Sequence, residues 1–250
     1  MPRALIAAAL VVVLAGCGSS AGSSSTARRS SSATAPQSGS SAAASSSAAA
    51  GSSAAGGSLA SRCRSVAVPA PNGPQHLSAP TLKLDPSRTY TVTIVTNCGT
   101  FALTLDVKDS PKTSASFYAL VKRGFFDGVT FHRVAAGFVI QGGDPTGTGA
   151  GGPGYTVVEP PPSNTQYVQG TVAMAKTEAQ PAGASGSQFF IVTAANATQS
   201  AGLTPVYALL GKVVSGQRVV DAIGSLPTNP PGDGMPTPAV VMSSVTVRET

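Results

Sequence analysis

The chain has 250 residues, a formal charge of +6 and only 10% charged residues. Three of its cations, Arg3, Arg28 and Arg29, stand near the start and every acid follows residue 84, so the remainder has thirteen cations against ten acids, an excess too weak to support a nucleic-acid partner. Two histidines with no cysteine or acidic ligand pattern beside them give no metal site, and no cofactor is expected.

The first elements are not globular. Arg3 precedes an apolar run over residues 4–14, too short to span a bilayer but of the length of a signal-peptide core. The run ends Leu14-Ala15-Gly16-Cys17, which resembles a bacterial lipoprotein signal. That resemblance implies a signal peptide over residues 1–16, cleavage before Cys17, and lipidation of the Cys17 thiol. Residues 17–61 are almost wholly Ser, Ala and Gly and cannot bury enough apolar surface to offset chain entropy. They read as a disordered tether with an end-to-end distance on the order of 35–40 Å. With Cys17 given to a lipid, Cys63 and Cys98 are left as a pair in a secreted chain, where disulfides persist. Two free thiols are the alternative.

A Pro-rich lead covers residues 62–88, and the folded domain is expected over 89–250. Residues 90–96 and 100–107 alternate Thr with apolar residues around Asn97-Cys98-Gly99, as a β-hairpin does. Asp109 or Ser110 can cap a helix that starts at Pro111 and ends at Gly124, with Tyr118 and Lys122 facing outward. Phe125 and Phe126 are two rings to bury in a turn. Residues 129–134 and 138–141 read as strands joined at Ala136-Gly137. Gly147, Gly149 and Gly152 match a dinucleotide-loop spacing, but Pro153 and Pro160 to Pro162 forbid the helix that loop requires, so this is a surface loop. Further strands are expected at 167–174, 188–193 and 206–213. A short helix follows at 215–224, then a Pro/Gly-rich segment at 226–238 and a last strand at 239–248 that could pair with the first. Many strands and two short helices make a mainly β chain. Pattern alone does not choose a barrel over a sandwich.

Residues 131–144 read Phe-His-Arg-Val-Ala-Ala-Gly-Phe-Val-Ile-Gln-Gly-Gly-Asp. Together with Val172-Ala173-Met174-Ala175, Gly186-Ser187-Gln188-Phe189-Phe190-Ile191 and Leu210-Gly211-Lys212-Val213, this run resembles the cyclophilins, the peptidyl-prolyl cis-trans isomerases. The blocks stand in the family's order and cover about residues 89–250. The resemblance implies a closed eight-stranded antiparallel barrel capped by two helices, with the active groove on its outer face.

An X-Pro bond turns slowly because rotation breaks amide resonance, and no covalent intermediate is needed to speed it. A donor aimed at the nitrogen lone pair that appears in the twisted amide lowers the barrier. Arg133 is the candidate donor, with Gln141 orienting it and Phe138 completing the catalytic set. By motif match Phe138, Met174 and Phe190 form the proline pocket, with Val139 beside them in the same run and Leu203 at the rim. Gln188 and the backbone around Ala175 and Lys176 would hold the substrate main chain, and Tyr207 stands where many relatives have histidine. His132, next to Arg133, would face the other side of its strand. Gly202 occupies the position of a tryptophan that contributes to cyclosporin binding in the family, so weak cyclosporin binding is expected; Lys176 replaces a common asparagine. The implied protein is a monomer acting on proline-containing polypeptides at the extracytoplasmic face of the cell membrane. A cyclophilin-like module that holds such segments without turnover is the alternative, and a solute-binding lipoprotein is a more distant one.

Overall fold

The computed structural model describes residues 63–250. The expected signal, the tether and Cys17 lie outside the described residues. Cys63 and Cys98 form a disulfide.

The first hairpin, β1 (Tyr90–Thr96) and β2 (Gly99–Leu105), forms as its alternation predicts, with Val92, Ile94, Phe101 and Leu103 turned into the core. Helix α1 (Pro111–Lys122) follows with Pro at its start. Gly124, in the left-handed region at φ +68°, ends it: its N–H donates to Val121 and that of Phe125 to Leu120, satisfying carbonyls the helix leaves open. Ser110 occupies the N-cap without a side-chain bond. Its place is taken by Glu159, whose two carboxylate oxygens accept from the N–H groups of Lys112 (3.1 Å) and Thr113 (2.8 Å). Tyr118 does not face fully outward; it is half-buried, its ring edge-on to Tyr90 at 5.6 Å.

The remaining elements are β3 (Thr130–Phe131), β4 (Arg133–Ala135), β5 (Val139–Gly142), β6 (Val157–Val158), β7 (Thr171–Met174), β8 (Ala184–Ser185), β9 (Phe189–Val192), the four-residue α2 (Ala197–Ser200), β10 (Leu209–Ser215), α3 (Gln217–Gly224), β11 (Thr228–Asn229), β12 (Asp233–Pro236) and β13 (Val240–Glu249). All but β6 and β8 belong to one antiparallel sheet of eleven strands, in the order β11-β12-β4-β5-β9-β7-β10-β2-β1-β13-β3. The last strand does pair with the first. β3 and β4, far apart in that order, are separated in the chain by His132 alone, so the sheet is strongly curled.

Several elements depart from the expected ones: α2, β6 and β8 have no counterpart among them, and the strand expected at 129–134 breaks at His132 into β3 and β4. The strand expected at 167–174 begins only at Thr171, because Gly170 turns the chain at φ +82° and residues before it contribute a single bridge, Val168 to Asn196. The strand expected from 206 starts at Leu209, since residues 206–207 belong to a turn. The segment expected as plain loop at 226–238 holds the hairpin β11–β12, which adds to the edge of β4.

Side-chain alternation divides the sheet between two clusters. Val134, Ile140, Val172, Phe189, Ile191 and Leu210 face the main core with α1 and α3. There Phe189 meets Phe117, Phe126 and Phe131 edge-on at 5.5–6.0 Å, tying helix to sheet. Ala135, Val139, Ala173, Phe190 and Val192 face a smaller cluster on the opposite side, covered by Tyr167, Ala194 and Ala197. Adjacent phenylalanines 189 and 190 thus go to different cores, as strand geometry requires.

The lead, without helix or strand over residues 63–88, is held on this body. The N–H of Leu77 donates to Pro153, and Leu77 and Leu84 pack against the main core. Near the disulfide, the Asn97 side chain donates to the carbonyls of Arg64 (2.6 Å) and Ala239 (2.9 Å) and accepts from the N–H of Val241 (2.9 Å).

Candidate active site

The outer cluster carries the site. On β4 and β5 Arg133 pairs directly with Gln141, and on β5 and β9 Gln141 pairs with Phe190. Residues directly opposite one another share a face, so register alone sets the cation, the amide and the ring side by side. Phe138, at the end of the turn around Gly137 (φ +69°), joins them. Arg133, Phe138, Val139, Gln141, Ala175, Lys176, Phe190, Leu203 and Tyr207 line one cavity of about 130 Å³. This is well below the several hundred Å³ of a cofactor site and suits one small ring.

Eight of the expected catalytic and substrate-binding residues other than Arg133 therefore meet it at one concavity. Gln188 stands just outside, in the wall of a neighbouring hollow of about 340 Å³ that also includes Gln141, Ala175, Lys176 and the loop at 149–156. Met174 does not belong to the cavity. It is 1% exposed inside the main core and pairs with Phe189, an inward residue. The motif placed the right strand at the site, but parity turns Ala173 to the outer cluster and Met174 inward.

A run of hydrogen bonds fixes the polar side. Arg133 Nη1 donates to Gln141 Oε1 (3.1 Å), Gln141 Nε2 to Gln188 Oε1 (3.0 Å), and Gln188 Nε2 to the carbonyls of Gly149 and Gly151 (2.9 Å each). Because Arg133 can only donate, it sets which way the Gln141 amide points, and Gln141 sets Gln188 in turn. Arg133 also has a partner that the sequence reading missed. Asp233 on β12 accepts from Nε through Oδ1 and from Nη2 through Oδ2, both at 2.7 Å. The guanidinium is not dry: the Arg133 side chain is 37% exposed and that of Asp233 53%. The hydrogen bonds from Arg133 hold the Asp233 carboxyl below the usual carboxylate value, against a smaller effect of burial.

The apolar side is braced from behind. The Tyr207 ring stands edge-on to Phe190 at 5.4 Å, and Lys176 Nζ lies 5.5 Å over the Tyr207 ring. Tyr167, fully buried, donates its hydroxyl to the carbonyl of Tyr207 (2.7 Å) and accepts from the Tyr207 N–H (3.1 Å). Burial pushes the Tyr167 phenol up to about 12.

The glycine loop is organised by Asp144, which is buried and accepts from the N–H and hydroxyl of Thr146 (2.7 and 2.8 Å) and from the N–H of Gly149 (2.5 Å). Burial opposes its ionisation, but the bonds from Thr146, Gly151 and Gly149 together outweigh burial and hold the carboxyl below its ordinary value. His132 lies under this loop, with both ring nitrogens buried and unpartnered; burial pushes its imidazole down, Asp144 opposes this, and Arg133 adds to it. Among the described residues no three His, Cys, Asp or Glu side chains converge as a metal would require.

Residues 91–247 match the family model described as cyclophilin type peptidyl-prolyl cis-trans isomerase/CLD. A relative from Mycobacterium tuberculosis named peptidyl-prolyl cis-trans isomerase A is 37% identical over 179 residues, covering 65% of this chain and 94% of the relative. One from Helicobacter pylori named peptidyl-prolyl cis-trans isomerase is 41% identical over 120 residues, 43% of this chain and 72% of the relative. Among solved structures, a cyclophilin type peptidyl-prolyl cis-trans isomerase from Cryptosporidium parvum superposes with a TM-score of 0.57 at 30% identity, covering 64% of this chain and 98% of its own. The same protein described in the presence of the dipeptide Ala-Pro gives a TM-score of 0.56.

Proposed function

Because the chain belongs to the cyclophilin-type peptidyl-prolyl cis-trans isomerase family, we propose that it accelerates rotation about X-Pro bonds, with Arg133 as the group that stabilises the twisted amide. The observation that carries this reading is the shared cavity: the guanidinium opens onto the same 130 Å³ that Phe138, Phe190 and Tyr207 line. A proline ring seated against the aromatic wall holds its amide beside Arg133. As the bond turns, resonance is lost and the nitrogen gains a lone pair. An N–H donor then binds the midpoint more strongly than either end state, which raises the rate. Gln188 and the backbone of Ala175 and Lys176, in the adjoining hollow, are placed to hold the peptide on one side of the proline.

The same reading counts the sheet as a closed eight-stranded barrel, with residues 130–135 as one strand interrupted at His132 and the β11–β12 hairpin as an addition to it. It places the protein as a monomer on the extracytoplasmic face of the cell membrane, held by a lipid on Cys17 and acting on secreted or envelope proteins. Support for this is the Leu14-Ala15-Gly16-Cys17 sequence together with the Cys63–Cys98 bridge, which belongs in an oxidising compartment. Weak cyclosporin binding follows from Gly202 at the tryptophan position.

The test is two-dimensional exchange NMR on a proline test peptide, with the purified protein beside Arg133→Ala. Loss of a single donor of this kind costs about 100- to 1,000-fold in rate, so the variant is expected to lose nearly all exchange while keeping its melting temperature. An Arg133→Ala protein as active as the wild type ends the proposed role. A wild type that binds the peptide without accelerating exchange makes the domain a binding module instead.

A further inference from the structure

The hairpin β11–β12 has no part in the proposed chemistry, yet it delivers a carboxylate to the centre of it. Asp233 pairs in register with Ala135, and Arg133 is two residues along on the same face of β4. That is the diagonal relation within reach of long side chains. The hairpin is held in place by the Ala136 N–H, which donates to Gly232 at 2.8 Å, and by Gly234, whose backbone sits too close to Asn229 and Pro230 to admit a side chain.

The count of donors shows what Asp233 does. A guanidinium has five N–H bonds. Asp233 takes one from Nε and one from Nη2, Gln141 takes one from Nη1, and two remain, one on each terminal nitrogen. A fork held by two parallel bonds on one edge and a third on another cannot rotate about its long side chain. The pair is too exposed to matter much for folding, as half-solvated ion pairs contribute little. Its effect is on orientation.

We propose that Asp233 is a positioning residue: its carboxylate locks the Arg133 guanidinium so that the two uncommitted N–H groups face the proline cavity. The inference rests on the prolyl-isomerase reading of Arg133. Without Asp233 the side chain keeps one anchor, Gln141, and samples orientations in which the donors miss the amide nitrogen. Peptide affinity, set by the aromatic wall and the adjoining hollow, stays as it is. The loss is confined to turnover.

Exchange NMR separates the two quantities. In the full protein, Asp233→Ala is expected to lower kcat about tenfold with the test-peptide Kd within twofold of wild type. Asp233→Asn, which keeps one acceptor, falls between. Asp233→Glu, which keeps the charge and both oxygens, recovers part of the loss. The Arg133 Nε–H resonance, slowly exchanging in the wild type, broadens or vanishes in the alanine variant. A melting temperature within about 1 °C of wild type excludes loss of fold as the cause. If the wild type accelerates exchange and Asp233→Ala does so equally well, or better, Asp233 is not positioning Arg133 and the inference is overturned alone. If the wild type shows no acceleration, the reading of Arg133 falls and takes the inference with it.

Discussion

Tyr167→Phe removes one oxygen from the back of the cavity and leaves the ring. In the wild type that oxygen holds two backbone groups of Tyr207, accepting from its N–H and donating to its carbonyl. The substitution creates no sizeable cavity, so its cost comes from the two groups left unpaired. Buried polar groups without partners cost about 1–3 kcal/mol. Tyr207 is only half-buried and water will reach part of it, so a net loss of about 1–2 kcal/mol is expected. For a domain of this size that lowers the melting temperature by about 3–7 °C. The segment freed is the one that places the Tyr207 ring against Phe190, so the peptide KM should rise several-fold with a smaller change in kcat. The Tyr167 phenol, raised to about 12 from an ordinary 10 by burial, stabilises the fold fully below pH 10 and progressively less from there to about 12. Tyr167→Phe should lack that alkaline limb. Differential scanning calorimetry at pH 7 and pH 10.5, with exchange NMR for KM and kcat, measures all of this. Tyr207→Phe, which leaves the backbone bonds intact, is the control for the melting temperature only, since its ring lines the cavity. A Tyr167→Phe protein that melts within 1 °C of wild type would refute the role given to this hydroxyl.

Glu159→Ala should lower the melting temperature by about 2–4 °C, because the N–H groups of Lys112 and Thr113 in the first turn of α1 lose the carboxylate that accepts from them, a cap of about 1 kcal/mol; the rate of peptide exchange should be unchanged, and equal melting of variant and wild type would count against the cap. His132 is held neutral by burial, its imidazole value pushed down, so the unfolded chain binds a proton that the folded one refuses. Stability from this group is complete above about pH 6.5 and is lost as pH falls from there toward the lowered folded value. Calorimetry of His132→Gln between pH 7 and pH 5 should show a shallower decline than wild type, and parallel curves would rule His132 out as the source.

The chain announces what is local and hides what is not. The β1–β2 hairpin is legible because Thr and apolar residues alternate over two full strands, and α1 because Pro111 and Gly124 bracket a helical run. Arg133, Phe138 and Gln141 are legible because two adjacent strands around one turn bring them together. Met174 was misplaced by a single step of parity, since the matched block does not say which of Ala173 and Met174 faces outward. β11 and β12 have two and four residues with Gly and Pro among them, too short for a period, so Asp233 passed as loop. Glu159 caps a helix more than forty residues upstream, and Tyr167 braces a residue forty downstream; neither relation leaves a mark at the local level. Asp109 and Ser110, the local capping candidates, lost to a longer-range carboxylate.

The bond between Cys63 and Cys98 spans 35 residues of sequence and joins the chain where it enters the described body to the turn between β1 and β2. Tension applied from the amino-terminal side therefore bypasses the whole lead and is delivered to that turn, where Asn97 shares it with β13 through Val241. Val241 in turn pairs with Thr130 on β3, and His132 alone separates β3 from Arg133 on β4. A pull on the chain at Cys63 would therefore reach the strand bearing the guanidinium by way of β13 and β3, without passing through the lead.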